Sequence, residues 1–155
     1  MRCLFFLFAI IAGRALLPAP PVAGFIDPTG TYTLTGTVKK NRITGHSGEL
    51  RVLLLDSSKV AMSFYINKGY PGYESGAFMD TLSYDDNQVS YSPVKEAGCR
   101  ILFHFRPDTV AISQIYTDPH SGCGFAPGVL IATLFKKTSG ERPVIQDLST
   151  HGVSP

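Results

Sequence analysis

The stretch CRILFHFRPDTVAISQIY, Cys99–Tyr116, decides the fold. Cys99, Ile101, Phe103 and Phe105 alternate with Arg100 and His104, so one face is apolar and the other polar. Pro107-Asp108 interrupts the pattern, and Val110 and Ile112 then resume it. Alternation with period two on both sides of a two-residue break reads as a half-buried β-hairpin.

The same period runs outward in both directions, and helical periodicity is nearly absent. Upstream lie TYTLTGTVKK (31–40), ELRVLLLD (49–56), KVAMSFYI (59–66), GAFMDTLSY (76–84) and QVSYS (88–92), and downstream VLIATLFKK (129–137). With the hairpin, these runs predict an all-β fold of about eight antiparallel strands in a small up-and-down barrel or curled sheet. Expected inward residues include Leu34, Val60, Met62, Phe64, Ile101, Phe103, Val110, Ile112 and Ile131.

Connection lengths predict two unlike ends. Ser57-Ser58, Asp85 to Asn87 and Pro107-Asp108 are hairpin-length turns that fall on one end of an up-and-down order. The other end receives NRITGHSG (41–48), NKGYPGYES (67–75), PVKEAG (93–98) and TDPHSGCGFAPG (117–128), all read as longer loops. Loops on a rigid scaffold are where binding concentrates, so the long-loop end is the expected functional end.

The leader MRCLFFLFAIIAG carries Arg2 ahead of an apolar run from Leu4 to Ala12. That run is far below the ~20 residues of a membrane span and suits a signal-peptide core, with small residues at Val22-Ala23-Gly24 for cleavage. The domain reading is therefore a signal peptide over 1–23, a barrel over 24–137, and a polar tail over 138–155. Val144, Ile145 and Leu148 are the tail's docking residues. The chain is expected to be secreted or periplasmic, with no stable membrane span after cleavage.

Removal of the leader changes the arithmetic. Of 14 basic residues, Arg2 and Arg14 leave with it, so cations then equal the 12 acidic residues. A near-neutral chain without a Lys/Arg stripe argues against a nucleic-acid partner. Of three cysteines Cys3 also leaves, and Cys99 and Cys123 remain as an even pair for one disulfide in an oxidising compartment. The strand alternation puts both at the long-loop end, and closing that loop stabilises by about 3–4 kcal/mol in the chain-entropy model.

Catalytic chemistry finds little footing. His46, His104, His120 and His151 lack metal-ligand spacing, so no metal or cofactor is expected, although the topology brings His46 and His120 to one end. Asp85 and Asp86 are turn residues beside Asn87, Asp80 is a strand aspartate, and His120-Ser121 lacks a nucleophile elbow. The reading is no enzyme. Tyr70 and Tyr73, flanking Pro71-Gly72, offer contact area with a polar handle, and the alternative is that their rings fold back as a lid on the core. Tyr70, Tyr73, His120 and Phe125 are the candidate binding residues, for an envelope protein or glycan ligand. A lipocalin-like carrier of a small apolar ligand is the alternative, since eight strands can enclose one.

The order YDDNQVSY, CRILFHF, then QIY and CGFAPGV, resembles a group of small exported bacterial β-proteins of uncharacterised function. In that pattern a cysteine opens a Leu/Phe-rich strand, here Cys99, and a second lies in Cys-Gly-aromatic-x-x-Gly-Val, here Cys123 to Val129. The resemblance spans about Asp85 to Lys137, and Ala132-Thr133-Leu134-Phe135 departs from it by lacking a glycine before the aromatic. The group is in turn distantly similar to exported lysozyme inhibitors, which implies a small barrel and an inhibitor's role but is fold-level analogy.

Overall fold

The computed structural model describes residues 24–96, 98–117 and 122–149. The signal peptide expected over 1–23, together with His120 and His151, lies outside the described residues. Nine strands form one antiparallel sheet: β1 (Gly30–Leu34), β2 (Thr37–Lys39), β3 (Arg42–Asp56), β4 (Lys59–Gly69), β5 (Ser75–Asp85), β6 (Gln88–Tyr91), β7 (Cys99–Arg106), β8 (Thr109–Tyr116) and β9 (Thr133–Ser139). Each of β3 to β8 pairs with the next in sequence. The short β1 pairs with β3 on one side and β9 on the other, which closes an eight-stranded up-and-down barrel. The extra strand, β2, pairs only with the start of β3.

The three tight turns form as the sequence dictates. Asp86 and Asn87 both take positive φ (45° and 59°), the mirror-image turn whose twist matches that of the flanking strands. At Ser57-Ser58 the Asp56 carboxylate accepts a hydrogen bond from the Ser58 amide at 2.7 Å, a local turn that holds its pKa below the usual carboxylate range. Pro107-Asp108 joins Arg106 to its partner Thr109.

Eight strands leave an interior just wide enough for side chains to fill. Phe64 stands at its centre, with the rings of Phe78, Phe103, Phe125 and Phe135 between 5.4 and 6.2 Å away. Seven of the expected inward residues, Val60, Met62, Phe64, Ile101, Phe103, Val110 and Ile112, are buried. Leu34 and Ile131 are only half-buried. β5 and β6 pair over just Tyr84↔Val89 and Asp85↔Gln88. Above that, Phe78 stacks on Tyr91 at 3.8 Å and closes the seam with side chains instead of hydrogen bonds.

Three boundaries differ from expectation. Asn41–Gly48 is not a loop: Arg42, Ile43 and Thr44 pair with Lys39, Val38 and Thr37 across a turn at Lys40-Asn41, both at positive φ. The first two expected strands are thus arms of one long hairpin, interrupted at Thr35-Gly36 opposite Gly45. The last strand begins at Thr133 rather than Val129, because Val129 and Leu130 turn into the core before the chain straightens. It also runs to Ser139, two residues into the expected tail.

The segments flanking the barrel pack back onto it. Residues 24–29 cross the tight end: the Ile26 amide donates to Asn87 Oδ1 at 2.8 Å, and the Tyr84 hydroxyl donates to the Ile26 carbonyl at 2.6 Å. Asn87 Nδ2 donates to the Gly24 carbonyl at 3.0 Å. Beyond β9, Arg51 donates to the Val144 carbonyl at 3.2 Å, and Leu148 is buried. Of the tail's expected docking residues, Leu148 is buried, Ile145 half-buried and Val144 exposed, held by its backbone rather than its side chain.

Candidate functional site

The long-loop end is built from two parts with opposite roles. The first is the segment from Gly122 to Leu130, tied to β7 by the Cys99–Cys123 disulfide across 5.2 Å between Cα atoms. Cys123, Phe125, Val129 and Leu130 all join the barrel core. Phe125 is 9 % exposed and lies edge-on to Phe64. Its ring fills the space a Cβ at Gly76 would need, so only glycine at 76 permits this packing. His46 Nε2 meets the Gly128 carbonyl at 2.8 Å and ties the segment to β3. Phe125 is therefore a core plug and not an exposed anchor, a correction to its reading as a binding residue. An aromatic in a glycine-rich stretch carries no sequence signal that separates a plug from an anchor.

The second part is the loop from Gly69 to Glu74. Lys68 donates its amide to the Glu74 carbonyl at 3.0 Å, and Tyr73 donates to the Gly69 carbonyl at 2.9 Å. Asn67 Oδ1 accepts from the Gly69 amide at 2.7 Å, while Asn67 Nδ2 donates to the Tyr73 carbonyl at 2.7 Å. Gly69 has φ of +74°, and a Cβ there would press on the Ile43 and Gly45 carbonyls, so glycine is required where the loop leaves β4. A Lys68–Glu74 ion pair at 2.9 Å closes the base and holds the Glu74 carboxyl below its ordinary value.

On this closed frame the tyrosines point outward. Tyr70 is 45 % and Tyr73 44 % exposed, with ring centroids 6.3 Å apart at 73°. The lid role belongs to Phe125, and Tyr70 and Tyr73 are surface residues. The Tyr70 amide donates to the Ile43 carbonyl at 2.8 Å and fastens the loop to the hairpin of β2 and β3. Between hairpin and loop lies an open cleft of about 450 Å³ lined by Lys39, Lys40, Arg42, Thr44 and Tyr70. The Arg42 guanidinium sits 4.6 Å over the Tyr70 ring, a cation–π contact.

Lys39, Lys40 and Arg42 did not figure in the sequence reading. Reading Asn41–Gly48 as a loop hid the hairpin that collects them, and a neutral total averaged the cluster away. The signal was KKNR itself, three cations in four residues around a turn-forming asparagine. Among the described residues no carboxylate lies within ion-pair distance of these three.

The shifted carboxyls, Asp27, Asp56 and Glu74, each follow from a structural hydrogen bond, to Thr29, Ser58 and Lys68 respectively. Burial raises the Tyr32 and Tyr84 hydroxyls, Tyr84 to about 12, and both donate to backbone carbonyls of the segment over the tight end. No group of three metal-ligating side chains occurs among the described residues. No helix among the described residues is long and apolar enough to cross a membrane. No protein family, curated protein or solved structure matches this chain.

Proposed function

We propose that this chain is a non-catalytic binding module of an extracytoplasmic compartment, recognising an envelope ligand through the hairpin and tyrosine loop. One observation carries the reading: two tyrosines stand exposed on a loop that its own hydrogen bonds and ion pair hold closed. A preformed surface loses little conformational entropy on binding, and tyrosine supplies large area with few rotatable bonds. The disulfide supports an oxidising compartment. The carrier alternative loses support, because Phe64 and its ring neighbours occupy the interior an apolar ligand would need.

The test is retention of envelope components by immobilised protein, comparing wild type with Tyr70→Ser/Tyr73→Ser and with Ser57→Ala/Asp86→Gly at the tight end. The expected result is loss of specific retention in the tyrosine variant alone. Equal retention by all three proteins overturns the assignment.

A further inference from the structure

The cations of this molecule are not equivalent. At the tight end the Ser58 hydrogen bonds lower the Asp56 carboxyl with a smaller contribution from Lys59, and the Thr29 hydrogen bonds lower Asp27 with smaller contributions from Lys137 and Arg142. At the long-loop end Lys68 is paired with Glu74. Lys39, Lys40 and Arg42 have no such partner among the described residues, and they sit at the tip of a hairpin whose β2 strand is exposed throughout. Beside them Val38 is 68 % exposed, and Tyr70 and Tyr73 complete the same projection.

We propose that this tip docks on an anionic lipid surface, with Lys39, Lys40 and Arg42 against lipid phosphates and Val38, Tyr70 and Tyr73 in the headgroup layer. The proposal rests on the binding end assigned above and names its partner. Three features favour a lipid surface. The charged side chains of the cleft, Lys39, Lys40 and Arg42, are donors only, and the Thr44 hydroxyl spends its one hydrogen on the Thr37 carbonyl at 2.9 Å. Three cationic donors gathered without a carboxylate match a phosphate, which is charged and accepts only, better than a neutral sugar. The tip also places an aliphatic side chain and two tyrosines among cations, and tyrosine rings favour the level of the headgroups. Finally, a projecting hairpin reaches a flat surface without the barrel's acidic turns approaching it.

The experiment uses the full exported chain, disulfide intact, with vesicles of phosphatidylcholine alone and of phosphatidylcholine with phosphatidylglycerol. The chain contains no tryptophan, so Tyr73→Trp supplies a unique reporter whose emission shifts to the blue on entering headgroups. Binding is expected to anionic vesicles alone and to weaken with salt. Each cation lost should weaken partitioning about fivefold, and Lys39→Gln/Lys40→Asn/Arg42→Gln together roughly a hundredfold. Lys59→Gln/Arg106→Gln/Lys136→Gln makes the same charge change elsewhere and should leave binding nearly intact. Failure of wild type to bind anionic vesicles, or equal losses in the two triple variants, overturns the proposal. A soluble sulfated glycan bound through the same tip residues, without vesicle binding, overturns the lipid partner while leaving the binding end standing. Envelope retention indifferent to both tip and tyrosine substitutions overturns the binding end itself.

Discussion

Asn87 is the position where the fold is most open to a quantitative challenge. It is buried at a turn with φ of 59°, and its amide joins three elements. The oxygen accepts from the Ile26 amide at 2.8 Å and the Tyr84 hydroxyl at 3.2 Å, and the nitrogen donates to the Gly24 carbonyl at 3.0 Å. In Asn87→Gly the backbone keeps its conformation and only these bonds go. Gly24 is exposed and recovers a bond to water, and Tyr84 retains its bond to the Ile26 carbonyl, so the main loss is the half-buried Ile26 amide. That loss is worth about 1–2 kcal/mol. Asn87→Ala adds the left-handed penalty of a β-carbon, about 1–2 kcal/mol more. Urea unfolding followed by circular dichroism reads both, and a slope of about 1–3 kcal/mol/M makes the shifts in midpoint measurable. Asp86→Gly, at the exposed first turn position, is the control and should cost little. If Asn87→Gly unfolds with wild type, residues 24–26 are not anchored through this side chain and the account of the tight end is wrong.

Other outcomes follow from the same structure. Phe125→Ala should cost about 3–5 kcal/mol in chemical unfolding, whereas Tyr73→Ala, an exposed site, should stay within about 0.5 kcal/mol; the reverse order would restore the lid reading of the tyrosines. Tyr84 has an ordinary pKa of 10.0, raised by burial to about 12 in the folded protein. Its contribution is therefore complete below pH 10 and declines as pH rises toward 12, by at most about 1.4 kcal/mol per pH unit. Urea midpoints at rising alkaline pH should fall, and Tyr84→Phe should flatten the fall in part; an unchanged pH profile in that variant contradicts the burial argument. N-terminal sequencing of exported protein should give Gly24 first, since cleavage one residue later would remove the carbonyl that Asn87 holds.

The barrel was legible because its signal is elementary. Val60, Met62, Phe64 and Ile66 alternate in β4 as Ile101, Phe103 and Phe105 do in β7, and all are buried. What failed depended on single backbone conformations. Lys40-Asn41 makes the same kind of turn as Asp86-Asn87, but lacks the adjacent aspartates that marked the second as a turn. One unrecognised turn converted a strand into a loop and concealed the cationic tip. Phe125 and the tyrosines could not be separated by composition, because their placement depends on long-range contacts. Phe125 enters the core against Gly76, forty-nine positions earlier, a contact no local pattern records. Asn87 was recognised as a turn residue, while its three tertiary bonds reach residues more than sixty positions away as well as Tyr84 nearby.

The central claim is that recognition occurs at the hairpin and tyrosine end, and site-specific photocrosslinking in intact cells tests it even while the ligand is unidentified. A photoreactive side chain replaces Tyr73 in one version of the protein and Ser57, at the opposite end of the barrel, in another. Both positions are exposed, so neither replacement should disturb folding. Light should yield discrete adducts, to lipid or to an envelope partner, from position 73 and none from position 57. Adducts from position 57 with none from position 73 would contradict the account.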